Sequence, residues 1–294
     1  MYALHPPSWP KDPEFDIGFI FHTEQIYRKE FFLRLVRFTK HYKGITGVAP
    51  IICLMTPKNP LVVEGMKREN VSESEFKGRV LELATLASIG YHGHFFFDTK
   101  RPNLLESEMR GHYYDAVRLK DQVNSEITWF QDAGVKLSPF YSAGWWFFSE
   151  AVVAELMRHG FRYDFSFSPS VWFQHVRSWN SFRFLNQIPV GQPIEVSASI
   201  GKMRFIPNLI GCHTTPYVED YVRNVRRLIG PGLPKIIYSH HSHDFDLDEK
   251  NTVMCLEFLA QQDNVKFFGG ENIDERISAA DLNKITWKEG HDFF

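Results

Sequence analysis

Short apolar runs and longer amphipathic stretches alternate along most of this chain. The short runs are typical of buried strands, and apolar residues that recur at three- and four-residue spacing are typical of amphipathic helices. The sequence therefore predicts strands at 17–22, 51–55, 91–97, 137–141, 235–239 and 265–268, and helices at 25–41, 72–89, 105–133, 149–159, 217–228 and 249–262. Short strands and turns are expected within 173–208.

The order of these elements determines the expected fold class. Alternating strands and helices imply a parallel sheet covered by helices, either open or closed into a barrel. Functional sites in such folds lie at the carboxyl ends of the strands. The sequence shows no internal repeat and no linker, so we expect one α/β domain.

Composition narrows the possibilities further. The chain has 294 residues, of which 44% are apolar and 15% aromatic, so it can bury a large core. A net charge of −2 gives no reason to expect nucleic acid as a partner. Cys53, Cys212 and Cys255 are scattered and are expected to be free, buried thiols. We see neither a secretory signal nor an apolar run of roughly 20 residues that could span a membrane, so a cytoplasmic location is expected.

Histidines are concentrated at the ends of three predicted strands. Six of the 13 histidines occur in three short stretches: FIFHTE at 19–24, IGYHGH at 89–94 and IIYSHHSHD at 236–244. Imidazoles and a carboxylate at strand ends are the usual ligands of a metal-centred active site. The pattern therefore favours an enzyme.

Several segments, in order, resemble the polysaccharide deacetylases (carbohydrate esterase family 4). They are SIGYHGH at 88–94, AGW at 143–145 followed by SE at 149–150, GFRYD at 160–164, SP at 168–169 and IYSH at 237–240. The resemblance spans about 17–268 and implies a distorted (β/α)7 barrel of parallel strands with outer helices. We expect a single catalytic domain over 1–294, with an extended N-terminal segment at 1–16 and a C-terminal extension at 270–294.

The chain departs from the family pattern at the catalytic base. Thr23 stands where the family has its base aspartate, and Glu24 stands where it has a metal-binding aspartate. Tyr141 stands where the family has the arginine that orients the base. Base and arginine are missing together, which indicates a changed mechanism. The second ligand histidine is also displaced: Phe96 occupies the family position and His94 is the substitute.

The resemblance, adjusted for these departures, gives the candidate site. The expected metal ligands are Glu24, His92 and His94; the expected catalytic residues are His22, His240 and His241; and the expected substrate-binding residues are Tyr141, Trp145 and Trp146. Alternatives remain for several of them. The alternative for Glu24 is a carboxylate at the N-terminus of a helix, and the alternative for His94 is a structural residue that forms a hydrogen bond. His22 is a third ligand, a replacement base or a core residue.

The expected activity is metal-dependent removal of an acyl group, N-acetyl foremost, from an amino sugar. One divalent ion is expected, zinc first, with cobalt, nickel or iron as alternatives. A nucleotide- or lipid-linked sugar used for a surface polysaccharide such as O-antigen fits a cytoplasmic enzyme best. The alternatives are a non-catalytic carbohydrate-binding relative and an amidase that acts on a small non-sugar molecule.

Overall fold

The computed structural model describes residues 8–11, 14–95, 116–144, 150–166, 193–206, 210–211, 222, 235–277 and 282–286. For residues 150, 210–211, 235–244 and 246–248 it describes the backbone alone. None of the helices within these ranges is both long enough and apolar enough to cross a membrane.

The described strands form one sheet. They are β1 (Phe15–Thr23), β2 (Ile51–Leu54), β3 (Ser88–Gly93), β4 (Phe140–Ala143), β5 (Tyr163–Asp164), β6 (Ile194–Ala198), β7 (Gly201–Phe205), β8 (Ile210–Gly211), β9 (Lys235–His241), β10 (Val265–Phe268) and β11 (Asn283–Thr286). Their order is β11-β6-β7-β5-β4-β3-β2-β1-β9-β8, with β10 beside β1. The described pairs are parallel except β6 with β7, which are antiparallel.

Strand β1 has three neighbours although a strand has only two edges. Strand β9 pairs with it over residues 16–22, which uses one edge for most of its length. The other edge is therefore divided: β10 pairs with residues 15–18 and β2 with residues 20–23. The ring of Phe268 occupies the space that a side chain at Gly18 would need, with its Cζ 2.3 Å from an ideal β-carbon there. Glycine at position 18 thus lets β10 reach β1.

Seven helices are described: α1 (Lys29–Thr46), α2 (Pro60–Arg68), α3 (Glu73–Ala84), α4 (Ala116–Asp132), α5 (Glu150–Arg158), α6 (Ser242–Ala260) and α7 (Ile273–Arg276). Their ends follow local rules. Asn59 caps α2 by accepting a hydrogen bond from the Leu61 N–H, and Pro60 is the first helical residue. Ser72 caps α3 through the Glu75 N–H; from the sequence, Ser72 and Ser74 are both candidates for this cap. Gly47 ends α1 in the left-handed conformation.

Alternation along the strands divides the core into two clusters. The larger cluster lies between the sheet and the helices and takes Phe19 and Phe21 from β1. The smaller cluster takes the intervening Ile20, together with Cys53 and Phe140 from neighbouring strands. Successive residues of a strand face opposite sides, so residues separated from Ile20 by an even number of positions face the smaller cluster. His22 and Glu24 continue this series beyond Ile20, toward the carboxyl ends of the strands.

Most of the predicted elements are present, although several bounds differ. The strand predicted at 137–141 is β4 (Phe140–Ala143), and the helix predicted at 249–262 is α6 (Ser242–Ala260). Strand β3 covers Ser88–Gly93 rather than 91–97, so His92 lies at its end and His94 just beyond it. Helix α2 was not predicted, because its run of 9 residues is too short to display a clear helical period. The helix predicted at 105–133 is described over Ala116–Asp132, and the helix predicted at 217–228 lies outside the described residues apart from 222. Cys53 and Cys255 are free and buried, as predicted, and Cys212 lies outside the described residues.

Candidate metal centre

Glu24, His92 and His94 converge at the carboxyl ends of β1 and β3. Each offers one ligand atom, and these atoms lie within 4.8 Å of one another. The Glu24 carboxylate oxygen Oε1 is 2.9 Å from His94 Nε2 and 3.6 Å from His92 Nε2. Both imidazoles are buried, while the Glu24 side chain is 26% exposed. Glu24 and the two histidines, which are far apart in sequence, therefore meet at one point, and Glu24 is the most exposed of the three.

The orientation of His92 is fixed by its second ring nitrogen. His92 Nδ1 lies 2.7 Å from the backbone carbonyl oxygen of Ser142. A carbonyl oxygen can only accept, so Nδ1 carries the proton and donates it. Burial lowers the pKa of His92 to about 4, against the opposing effect of the Glu24 carboxylate. The neutral ring then directs the lone pair of Nε2 at Glu24.

The charge of Glu24 depends on the same two histidines. Burial alone would raise its pKa, but the imidazoles of His94 and His92 outweigh this and hold the pKa well below its ordinary value. Glu24 is therefore a carboxylate at neutral pH. The arrangement consists of one anionic oxygen and two nitrogens directed at a common point.

This donor set fits a divalent metal ion. His92 Nε2 is buried and has no hydrogen-bond partner among the described residues. A lone pair that faces a carboxylate oxygen is unfavourable unless a cation lies between them. In metal proteins the second nitrogen of a ligand histidine is commonly held by a backbone carbonyl, as Ser142 does here. Two imidazoles and one carboxylate suit zinc and neighbouring transition metals.

His94 is held from two sides. Its ring lies against the α-carbon of Gly144, so that a β-carbon there would lie 2.2 Å from Nε2. Its backbone carbonyl accepts a hydrogen bond of 2.6 Å from Asn59 Nδ2. The ring position therefore depends on a glycine after β4 and on the residue that caps α2.

His22 lies next to His92. The two rings are 5.3 Å apart, and His22 is fully buried. The Ser142 hydroxyl lies 2.7 Å from His22 Nε2, while the Ser142 carbonyl accepts from His92. Ser142 thus links the two imidazoles through one residue. His22 is not one of the three residues whose ligand atoms lie together.

The loop that follows Glu24 is held by a buried arginine. Arg79, from α3, donates to the carbonyls of Ile26 at 2.8 Å and Tyr27 at 2.5 Å, and it forms an ion pair with Glu75 at 2.5 Å. Arg79 is only 7% exposed, so these bonds are shielded from water. They fix the backbone two and three residues after the carboxylate.

The remaining predicted residues have different outcomes. His240 and His241 lie at the end of β9, where the backbone register places them beside Phe21 and His22, respectively. Trp145 and Trp146 lie outside the described residues. The assignment of Tyr141 to substrate binding needs correction: the ring is 1% exposed and packs 5.5 Å from Tyr91 in the larger core cluster. Strand alternation turns it away from the face that carries Ser142.

Sequence reasoning missed three residues that support the site, Asn59, Glu126 and Ser142. It considered Gly144 only as a backbone N–H donor and did not foresee that this glycine makes room for His94. One signal was available for Glu126, a carboxylate on the apolar face of α4 beside Val123 and Ile127. Another was the Asn59-Pro60 pair, typical of a helix start. The contacts of Ser142 and Gly144 leave no trace in the local pattern, because their partners are at least 50 residues away.

No protein-family model matches this sequence, and no curated protein matches it either. Solved structures do share its fold. A Mycobacterium smegmatis protein described provisionally as a polysaccharide deacetylase superposes with a TM-score of 0.56 at 13% identity, covering 97% of this chain and 98% of that one. A 4-alpha-glucanotransferase from Thermococcus litoralis gives a TM-score of 0.52 at 9% identity, covering 93% of this chain but only 42% of that chain.

These likenesses establish the architecture. Nearly the whole chain superposes on the M. smegmatis protein, with similar coverage on both sides. The predicted fold class is therefore confirmed: this chain has the (β/α) barrel fold of the polysaccharide deacetylase type, and its candidate metal centre lies at the carboxyl ends of the strands.

Proposed function

We propose that this protein is a metal-dependent hydrolase that removes an acyl group, N-acetyl foremost, from an amino sugar. The observation that carries the proposal is the convergence of Glu24, His92 and His94 within 4.8 Å in a barrel of the deacetylase type. The motif resemblance over 88–94 and 143–164 supports the substrate class. We propose zinc as the ion, with cobalt, nickel or iron as alternatives.

A divalent ion in this position would polarise the amide carbonyl of the substrate and acidify a water molecule. Glu24, His92 and His94 would hold it. The carboxylate would offset part of the charge of the ion, and the Ser142 carbonyl would keep the lone pair of His92 directed at it. Gly144 and Asn59 would keep the His94 ring in place.

A residue of this chain must take a proton from water, and another must give one to the departing amine. Thr23 cannot act as the base, because a hydroxyl does not take up a proton at neutral pH. We propose His22 or a histidine of β9 for the base, since imidazole titrates in the required range. His22 is hydrogen-bonded to Ser142 and lies next to His92.

The acid is proposed among His240 and His241. Family resemblance favours His240, whereas the backbone register favours His241. The register pairs His241 with His22 and His240 with Phe21, whose ring packs outward against Phe38 of α1 and Phe245 of α6. Residues paired across parallel strands share a face. Separate His240→Ala and His241→Ala variants, with kcat measured against pH, decide between them: loss of the acid removes the fall of kcat at high pH, whereas loss of the base removes its fall at low pH.

The test combines metal analysis with a substrate screen. Purified protein is depleted with a chelator, reloaded with zinc or cobalt, and incubated with N-acetylated amino sugars in free, nucleotide-linked and lipid-linked forms, with acetate release as the readout. We expect about one ion per chain and acetate release that is lost in His92→Ala. Metal binding without release from any amino sugar, but with release from small acyl amides, would favour an amidase.

Absence of metal binding after repletion would overturn the hydrolase proposal and leave a carbohydrate-binding relative. The replacement of the expected base by Thr23 is the observation that keeps this second candidate open. Binding of the same amino sugars, measured by calorimetry without turnover, would support it. A substrate made before export, and hence a cytoplasmic enzyme, is part of the proposal; linked sugars should then be better substrates than finished polysaccharide.

A further inference from the structure

A buried polar cluster lies directly behind His94, on the side away from the candidate metal centre. It consists of Thr56, Asn59, Gln122 and Glu126, and joins the loop before α2 to the middle of α4. Asn59 and Glu126 are completely buried. Neither touches Glu24 or His92 in the described structure, so neither belongs to the donor set described above.

Asn59 is the centre of this cluster because every polar atom of its side chain is used. Its Nδ2 donates to the His94 carbonyl at 2.6 Å and to Glu126 Oε1 at 3.3 Å. Its Oδ1 accepts from the Leu61 N–H at 3.1 Å and caps α2. One side chain therefore ties the backbone of a proposed ligand to two helices.

Glu126 holds the side chain of Asn59 in place through a hydrogen bond. Its Oε1 accepts from Asn59 and Gln122, and its Oε2 accepts from Thr56 Oγ1 at 3.2 Å. Burial, which these neutral donors only partly offset, raises the pKa of Glu126 to about 7. Burying a carboxyl group here is costly, and an apolar side chain would suit the apolar face of α4 better. That a carboxyl group nevertheless stands at this position indicates that a hydrogen-bond acceptor is needed there for Asn59, Gln122 and Thr56.

We propose that Asn59 and Glu126 are positioning residues of the metal centre: Glu126 fixes the Asn59 amide, and Asn59 fixes the main chain of His94 in its ligating position. The inference rests on the proposed metal site and adds two residues to it. His94 lies beyond the end of β3, and the described pairing of β3 with β4 ends at Gly93. Strand pairing therefore does not hold the backbone of His94. The Asn59 bond supplies that restraint. Residues that hold ligands in this way typically contribute a factor of about 10 to 100 to metal affinity.

Metal affinity of the purified chain provides the test. Zinc dissociation constants are measured by competition with a chromophoric chelator, and the cobalt absorption spectrum reports ligand geometry independently of activity. We expect Asn59→Ala to weaken zinc binding about 10- to 100-fold and to alter the cobalt spectrum. Ser72→Ala is the matched control, since it removes the same kind of helix cap from α3 without contact to His94; its affinity should stay within about twofold of wild type.

Two further variants protect the test against simple misfolding. Asn59→Ser keeps a cap acceptor for the Leu61 N–H but is too short to donate to both the His94 carbonyl and Glu126, and it should weaken zinc binding as Asn59→Ala does. Glu126→Gln keeps an acceptor for Asn59 and should bind zinc within about threefold of wild type, whereas Glu126→Leu should lose about tenfold or more. Thermal unfolding of each metal-free variant checks that it is folded.

The outcomes separate the two proposals. Wild-type protein that binds no zinc would overturn the proposed metal centre itself. Wild-type protein that binds zinc, with folded Asn59→Ala and Asn59→Ser variants of wild-type affinity and unchanged cobalt spectrum, would overturn the positioning role alone. Equal affinities of Glu126→Leu and Glu126→Gln would remove Glu126 from the proposal.

Discussion

The imidazole of His94 lies so close to Gly144 that a β-carbon on this glycine would be 2.2 Å from the ring. The backbone of Gly144 does not require glycine, since it is not among the residues with positive φ. Glycine is needed there for space alone. The AGW segment, which resembles the deacetylase pattern, thus has a physical role in this chain: it leaves room for a histidine that comes from another strand.

Gly144→Ala should therefore weaken zinc binding while leaving the fold intact. The added methyl group must displace the His94 ring, because the three atoms nearest to that β-carbon all belong to this ring. We expect at least a tenfold rise in the zinc dissociation constant, by analogy with other losses of ligand positioning. Chelator competition measures it.

Gly78→Ala is the control for that substitution. Gly78 is exposed on α3, and a β-carbon there meets nothing within 4 Å. Alanine in a helix is favoured over glycine by about 0.5–1 kcal/mol, so this variant should be slightly more stable and bind zinc normally. Equal zinc affinity of the two variants would contradict the steric role of Gly144.

Glu24→Gln should remove most of the increase in the free energy of unfolding that zinc binding gives. In wild-type protein, zinc at a thousandfold excess over its dissociation constant should add about 4 kcal/mol to the free energy of unfolding. Glutamine removes the anionic ligand, so most of that gain should disappear. Without metal, the variant should be less stable than wild type at neutral pH, because the lowered pKa of Glu24 means that the folded state favours the carboxylate over a neutral group. Thermal unfolding with zinc and with chelator measures both effects; a full zinc response in the variant would exclude Glu24 as a ligand.

Arg79→Met should destabilise the protein and loosen the loop after Glu24. The substitution leaves the buried carbonyls of Ile26 and Tyr27 without their donor, which costs about 1–3 kcal/mol for each such group. Urea denaturation should show this loss. Arg158→Met, which removes a partly exposed guanidinium from α5, should cost no more than about 1 kcal/mol. Similar losses in the two variants would argue against a specific role of Arg79 in the loop.

Asp164 should make the protein less stable as pH rises. Burial, only partly offset by hydrogen bonds from Ser166, raises its pKa to about 7. The folded state therefore holds a proton between about pH 4 and 7 that the unfolded state has released, so the free energy of unfolding falls over that interval. The full shift corresponds to about 4 kcal/mol. Urea denaturation with chelator from pH 4 to 8 should show a shallower decline in Asp164→Asn, and parallel declines would refute the assignment.

Much of the fold was accessible from sequence because it depends on local patterns. Strand β10 was predicted with its observed bounds, and the cap of α3 was narrowed by residue type to Ser72 or Ser74, of which the structure uses Ser72. Errors arose where a local pattern was short or ambiguous. Helix α2 lacks enough turns to show a period, and the end of β3 could not be distinguished from the apolar residues that follow His94.

The three candidate metal ligands were also predictable in part from the sequence. Glu24 and His92 match a family pattern by position, and His94 was chosen because it is two residues from His92. Their convergence follows from strand order, since β2 alone separates β1 from β3 in the sheet. Tyr141 was misassigned because sequence position does not reveal which face of β4 a residue takes when both faces are buried.

The sequence by itself determined the alternation of strands and helices, the parallel sheet that this alternation implies and the histidines at the strand ends. Only the tertiary structure decided which groups support them: the Ser142 carbonyl behind His92, the Gly144 α-carbon behind His94, and the Asn59–Glu126 pair beneath it. The reason is physical. Periodicity and capping act over a few residues, whereas these contacts join elements that come together only after the sheet has formed.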